Sequence, residues 1–369
     1  MAIQSKAKLQ QSILFVGPMI PPMTGQAVAF TKAYNGVQTN EKYLVNHNLE
    51  NCNVVLKLAR TVVNVIKGMY ILIYKRVDVL YFTCSRSFLG SIKDVILITT
   101  ARAMDVRVVN HLHGSDFKDF YNATSKWYKK VLRFAYAHVK DSIVLTESMK
   151  EQFDMFEEMN VHVVRNFYDR ELECESSCGN DDGIIRILFL SNILATKGIF
   201  ELLDAFEKLQ GQYNIELRVA GSFMSDSLMS DTTVRERFNQ RIHEIPNAIH
   251  VGAVSGEEKK KLLCTSDIFV LPSYFVSEAV PISVLEAMAT GNVVVVSDHK
   301  YLPQIIPKGN CIVTKKSVES LVRGLTHIIR NKKRLAEVKK ENILYSRRNH
   351  LEDIYVANIQ SILFGSDIR

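Results

Sequence analysis

The chain has 369 residues, 47% of them hydrophobic, which is enough for two domains of ordinary size and too many for one small stapled domain. Lys and Arg number 46 against 39 Asp and Glu, a net charge of +7; so moderate an excess over a long chain excludes a nucleic-acid-coating tail and leaves anionic small molecules or an anionic membrane surface as partners. The cysteines at positions 52, 84, 174, 178, 264 and 311 form no CxxC pair and have no His-rich companion, so their spacing indicates neither a zinc site nor a disulfide framework, and a reducing cytoplasm fits best.

The opening MAIQSKAKLQQS is polar and lacks the apolar core of a signal peptide, so export by that route is not expected. The most apolar region, 61–74, is broken by Asn64 and Lys67 and falls short of the roughly 18 apolar residues of a membrane span. From there the chain alternates short β-rich runs with amphipathic stretches, the pattern of parallel sheets covered by helices. Strands are predicted at 13–17, 43–46, 79–83, 106–111, 142–146 and 161–165, with helices at about 27–35, 55–74, 89–103, 126–139 and 148–157. The acidic, Gly-terminated DRELECESSCGNDDG at 169–183 reads as a domain boundary. A second set follows, with strands at 185–190, 216–220, 249–251, 268–271, 293–296 and 312–314, helices notably at 199–210 and 280–289, and a helical end from 318 to 364. The expected architecture is α/β: two doubly wound domains, 1–170 and 183–348, facing a cleft between the carboxyl ends of their strands.

The strand ends carry the chemistry. After the first strand, GPMIPPMTGQAVAF places Gly17, Pro21, Pro22 and Gly25 in a tight loop before a helix starting near Gln26. Glycine lets a ligand approach the backbone and free N–H groups at the helix start attract anions, although the loop is neither GxGxxG nor a Walker A sequence and also reads as a plain turn. The fourth strand ends in HLHGSDF, with His111 and His113 on one side of an extended segment. No third metal ligand lies nearby in sequence, and His113 is the one expected in the cleft.

In the second domain Lys197-Gly198 opens an amphipathic helix, where a lysine is unfavourable to the helix dipole unless an anion joins it; the same lysine also reads as an exposed surface cation. The most informative stretch is DIFVLPSYFVSEAVPISVLEAMATGNVVVVSD, 267–298. Its buried strand ends in a loop bearing Glu278, and a helix starting near Val280 carries Glu286 about two turns in. The amides of Ala279, Val280, Pro281 and Ile282 are expected as the exposed donors of that helix start. Glu286 lies within VLEAMA, an apolar run where an unpaired carboxylate is unfavourable.

PSYFVSEAVPISVLEAMATG resembles the E-x7-E motif of the retaining glycosyltransferases of family 4, which have the two-Rossmann GT-B fold, with Glu278 and Glu286 as the two glutamates. The resemblance extends to the 17–25 loop, HLHGSDF, VVRNFYD at 163–169, Lys197-Gly198 and Asp267, and so to both domains. It implies that Lys197 contacts the donor diphosphate, Glu286 the ribose or nucleotide, and Glu278 the donor sugar, helped by the amides after it. His113 would approach the transferred sugar; Gly17, Gly25 and Gln26 would lie by the diphosphate and acceptor. The family's usual Arg five residues before the Lys is Asn192 here, and Asn lacks the fixed charge of a guanidinium; Arg165 is the substitute cation to test. The C-terminal helix, 349–369, is expected to pack back on the first domain.

The function so implied is a retaining, metal-independent glycosyltransferase of cell-surface polysaccharide synthesis (lipopolysaccharide, capsule or O-antigen), with a nucleotide-sugar as co-substrate and a glycan or lipid-linked oligosaccharide as acceptor. No DxD sequence for a diphosphate-bound metal is present. Two basic, acid-free spans, within 51–77 and between Asp119 and Asp141, read either as solvated faces or as surfaces for an anionic leaflet, making the chain cytoplasmic and peripheral on the membrane's inner face. Nucleotide-sugar 2-epimerases share the architecture, and Asn192 leaves room for a degenerate sugar-nucleotide-binding protein.

Overall fold

The computed structural model describes residues 11–48, 54–174 and 182–365. Residues 1–10, Cys52, Cys178 and most of the central part of the 169–183 boundary lie outside the described residues. The chain divides into two compact units, residues 1–165 with 353–369, and residues 166–352.

The first unit is built on six parallel strands: β1 (Ser12–Gly17), β2 (Glu41–Asn46), β3 (Val79–Thr83), β4 (Arg107–His111), β5 (Val139–Val144) and β6 (Asn160–Val163). Helices α1 (Gly25–Gly36), α2 (Val54–Tyr74), α3 (Phe88–Ala103), α4 (Phe117–Ala123) and α5 (Lys126–Tyr136) connect them. The sheet order is β2-β1-β3-β4-β5-β6. Parallel strands covered on both faces read as unbroken apolar runs, and β1 and β3 are buried along their whole length. Phe15, Phe30 and Tyr81 form the aromatic centre, with Phe30 stacked on Tyr81 at 6.0 Å. Side-chain caps start the helices: Thr24 accepts from the Ala27 N–H, Ser87 from that of Gly90 and Ser125 from that of Tyr128.

The second unit holds β7 (Ile185–Leu190), α6 (Ile199–Gln210), β8 (Ile215–Ala220), α7 (Asp231–His243), β9 (Ala248–Gly252), α8 (Gly256–Cys264) and β10 (Ile268–Leu271). After these come α9 (Ile282–Ala289), β11 (Val293–Ser297), α10 (Leu302–Ile305), β12 (Cys311–Val313), α11 (Val318–Arg330) and α12 (Lys332–Asn349). Its six parallel strands run β12-β11-β10-β7-β8-β9, the order of a dinucleotide-binding sheet with its switch point between β7 and β10. The last helix, α13 (Glu352–Leu363), returns to the first unit, where the Tyr355 hydroxyl donates to the Ala29 carbonyl at 3.0 Å and Arg107 donates to the carbonyls of Ile362 and Leu363.

Several details differ from the sequence expectations. The segment expected as a helix at 148–157 is a 3-10 turn, Glu147–Phe153. The helical end expected from 318 to 364 consists of three helices, α11 to α13. Residues 166–170 join the second unit rather than the first, because Asn166 donates to the Val280 carbonyl at 2.9 Å and the Tyr168 N–H to the His350 carbonyl at 3.0 Å. Cys174 and Cys264 form a disulfide with Cα atoms 6.1 Å apart. This corrects the reading that no cysteines pair and removes that argument for a reducing compartment; partners 90 residues apart leave no spacing signal. No helix among the described residues is long and apolar enough to cross a membrane.

Candidate active site

The switch point of the second sheet explains why two distant segments meet. β7 and β10 are hydrogen-bonded neighbours, with Ile187 opposite Ile268, and the chain leaves them in opposite directions, so the loops after both strands open on one crevice. The loop after β7 carries Lys197 and that after β10 carries Glu278. Lys197 Nζ lies 2.6 Å from Glu278 Oε2, with both side chains largely buried, and the Ser273 hydroxyl donates to the same carboxylate oxygen at 2.6 Å. The Lys197 ammonium also lies over the Phe275 ring. The anion beside this lysine is therefore Glu278 itself. Lys197 ends a 3-10 turn, Ala195–Lys197, and α6 begins only after Gly198.

That turn is held from outside. Asp226 accepts from the Thr196 N–H at 2.7 Å and hydroxyl at 2.8 Å. Burial pushes the Asp226 carboxyl up, but these bonds and the Leu228 and Met229 amides outweigh it and leave its pKa lowered. Gly198 has φ +77, and a Cβ there would run into the Pro272 carbonyl; only glycine suits both conditions.

α9 starts at Ile282, with Pro281 as its cap, so Glu286 sits about one turn inside rather than two. Pro281 has no N–H and cannot be the donor expected of it. The N–H groups of Ala279 and Val280 have no acceptor among the described residues, while the Val280 carbonyl takes the Asn166 amide. Glu286 is buried and paired: Lys259 of α8 places Nζ 2.6 Å from Oε1. Burial raises the Glu286 carboxyl above its ordinary value, Lys259 opposes the shift, and the charge of Asp169 adds to it. The second unit thus holds two lysine–carboxylate pairs, Lys197–Glu278 between the loops after β7 and β10 and Lys259–Glu286 between α8 and α9; Lys259 and Asp226 were invisible to motif reading because they lie 27 and 30 residues from the groups they serve. Asn192, partly exposed just after β7, brings no fixed charge to this crevice. Asp267 is structural: it accepts from the Arg186 N–H at 2.8 Å and from Lys339 at 2.6 Å.

In the first unit, His111 and His113 lie on one side of the chain, their rings 3.9 Å apart. His111 is fully buried and shares a 2.7 Å hydrogen bond through Nδ1 with the Tyr81 hydroxyl. His113 is partly exposed, but its Nε2 is covered and without a hydrogen-bond partner among the described residues. Burial, with the nearby Arg86 guanidinium, pushes its pKa down to about 3, so the ring is neutral near pH 7. No group of three His, Cys, Asp or Glu suited to a metal ion occurs among the described residues.

The glycines of the first loop separate. Gly17 is buried and a Cβ on it would strike the Phe30 ring, so a glycine here lets α1 pack against β1. Gly25 and Gln26 open α1, and a Cβ at Gly25 would meet nothing within 4 Å.

Two Rossmann-like units with this topology define the GT-B class of fold. Residues 176–344, most of the second unit, match the model of the family described as glycosyl transferases group 1. An uncharacterised glycosyltransferase of Methanocaldococcus jannaschii is 29% identical over 164 residues, covering 44% of this chain and 40% of that protein. A teichuronic acid biosynthesis glycosyltransferase of Bacillus subtilis, named as putative, is 28% identical over 140 residues, covering 38% of this chain and 31% of that protein. The chain thus spans less than half the length of both relatives. Among solved structures, Anabaena HepE in complex with UDP and glucose superimposes with a TM-score of 0.71 at 12% identity, covering 96% of this chain and all of that one; at that identity the likeness establishes the fold.

Proposed function

We propose that the chain is a retaining glycosyltransferase that takes a sugar from a nucleoside-diphosphate donor to a glycan or lipid-linked acceptor of a cell-surface polymer. One observation carries the reading: the Lys197–Glu278 pair at the switch point of the second sheet, with the Lys259–Glu286 pair in the same unit, within a segment that matches the group 1 model. The B. subtilis relative, named for teichuronic acid biosynthesis, supports the acceptor class, and the UDP and glucose of HepE support the donor class.

In this reading the diphosphate takes Lys197 from Glu278, freeing the carboxylate to hold the donor sugar hydroxyls. Glu286, whose ionised form Lys259 favours against the effect of burial, accepts from the ribose diol. The bond between the anomeric carbon and the diphosphate oxygen breaks, and Lys197 with the Ala279 and Val280 amides stabilises the charge that grows on the leaving group. The acceptor oxygen attacks the same face, and its proton passes to the departing phosphate. Lys197 supplies the positive charge that a metal supplies elsewhere, so chelation leaves turnover unchanged. Asn192 favours a second reading, a protein that binds the donor and does not cleave it.

The test is a panel of UDP-, GDP-, ADP-, CMP- and dTDP-sugars, with membrane extract as acceptor source, with and without EDTA. One donor cleaved equally in both, giving a product of the donor's anomeric configuration, is expected. Nucleotide binding without release from any sugar moves the assignment to the second reading, and an inverted product refutes retention.

A further inference from the structure

The helical layer on one face of the first sheet leaves apolar surface that no other described residues cover. All of residues 55–60 of α2 are exposed, and full burial begins only at Gly68, where the helix meets Leu97 of α3. On the uncovered half Val55 is 78% exposed, Leu58 57%, Val62 50% and Ile66 60%, spaced to share one helical face. A helix on a water-facing surface carries polar residues there instead.

The neighbouring helices continue the surface. α3 packs between α2 and α5: the Ser91 and Tyr128 hydroxyls are 2.7 Å apart, and the Phe88 and Tyr128 rings lie at 4.7 Å. Leu89, in the first turn of α3, is 66% exposed, and Trp127, in the first turn of α5, is 70% exposed. All three helices lead into parallel strands of one sheet from the same side, so their N-terminal ends lie along one edge of the unit. The charge on this surface has a single sign. α2 and the residues to 77 contain Lys57, Arg60, Lys67, Lys75 and Arg76 and no acid, and α5 contains Lys126, Lys129, Lys130 and Arg133 and no acid. Asp94 of α3 is buried beside Lys93 at 3.0 Å.

We propose that this face seats the first unit on an anionic lipid bilayer, the aliphatic stripe of α2 and Trp127 entering the headgroup boundary and the lysines meeting lipid phosphates. Aliphatic side chains and a tryptophan among cations are what such an interface takes up. A second copy would set the same cations against each other. The inference stands on this surface alone and does not depend on the donor site.

The full chain is sedimented with phosphatidylglycerol–phosphatidylcholine vesicles and with pure phosphatidylcholine vesicles, and its mass is measured without lipid. Binding to the anionic vesicles alone is expected, weakened by salt, about tenfold by Ile66→Glu and about fivefold by each of Lys57→Ala and Lys67→Ala. Trp127→Ser, at a separate exposed position, weakens it as well, and all variants keep the thermal unfolding of the parent. Equal binding to both vesicles, no binding to either, variants that bind like the parent, or a dimer that Ile66→Glu dissolves in place of vesicle binding would each overturn the proposal.

Discussion

Glu286 is a carboxylate in an apolar helix, and its chemistry depends on Lys259. Burial raises its pKa above the ordinary value, so in the folded chain its contribution to stability is present below the ordinary carboxylate pKa and lost as pH rises through the raised value. Donor binding runs the other way, because accepting two ribose hydroxyls requires the ionised form. Lys259→Met removes the group that opposes the shift. The acid limb of kcat/KM for the donor should therefore move to higher pH, with donor KM restored by raising the pH, whereas Lys259→Arg keeps the parent profile. A Lys259→Met enzyme with the parent's pH profile would show that the pair does not serve the donor. At Lys197 the same geometry affects stability: Lys197→Met leaves Glu278 buried without its cation, a loss of about 3 kcal/mol, whereas the double variant Lys197→Met, Glu278→Gln recovers part of it in thermal unfolding. The E-x7-E spacing made both glutamates legible in the sequence, and Lys197 stood out beside Gly198 at a helix start; Lys259, 27 residues from Glu286, had no local signature.

Loops and helix starts were legible to the extent that local chemistry fixes them. Continuous apolar runs such as VVVV at β11 announce buried parallel strands, since both sheet faces are covered. α7 buries only Val234, Phe238 and Ile242, and α8 only Leu262 and Leu263, so their thin apolar stripes left both helices without bounds in the sequence, and Lys259 of α8 without a place. Two glycines that look alike in sequence behave differently for the same reason. Gly198→Ala places a side chain at φ +77 against the Pro272 carbonyl and should lower stability by about 1–3 kcal/mol, dislodging Lys197 and with it turnover. Gly25→Ala meets nothing and sits at the start of α1, so it should leave the melting temperature unchanged or slightly higher. A fall in activity at unchanged stability would place a ligand against that helix start, as the proposed diphosphate and acceptor role requires.

Across the whole molecule the two units have separate cores, and the second contains both lysine–carboxylate pairs and the Cys174–Cys264 disulfide. That bridge ties the end of α8 to the segment that bears Asp169, so it restrains the helix that presents Lys259. Reduction, or Cys264→Ser, should lower the stability of the second unit by about 2–4 kcal/mol in calorimetric unfolding, with the first unit's contribution unchanged; an identical trace with and without reductant would show that the bridge adds nothing. A bound donor should act on the same unit, raising its unfolding temperature by mass action. The most direct measurement is calorimetric titration of nucleoside-diphosphate sugars into the parent chain, Lys197→Met and Glu286→Gln, each first shown to be folded. One donor should bind the parent, with affinity falling by about tenfold or more in both variants. Full affinity in both variants, or no nucleotide-sugar bound by the parent, would contradict this expectation.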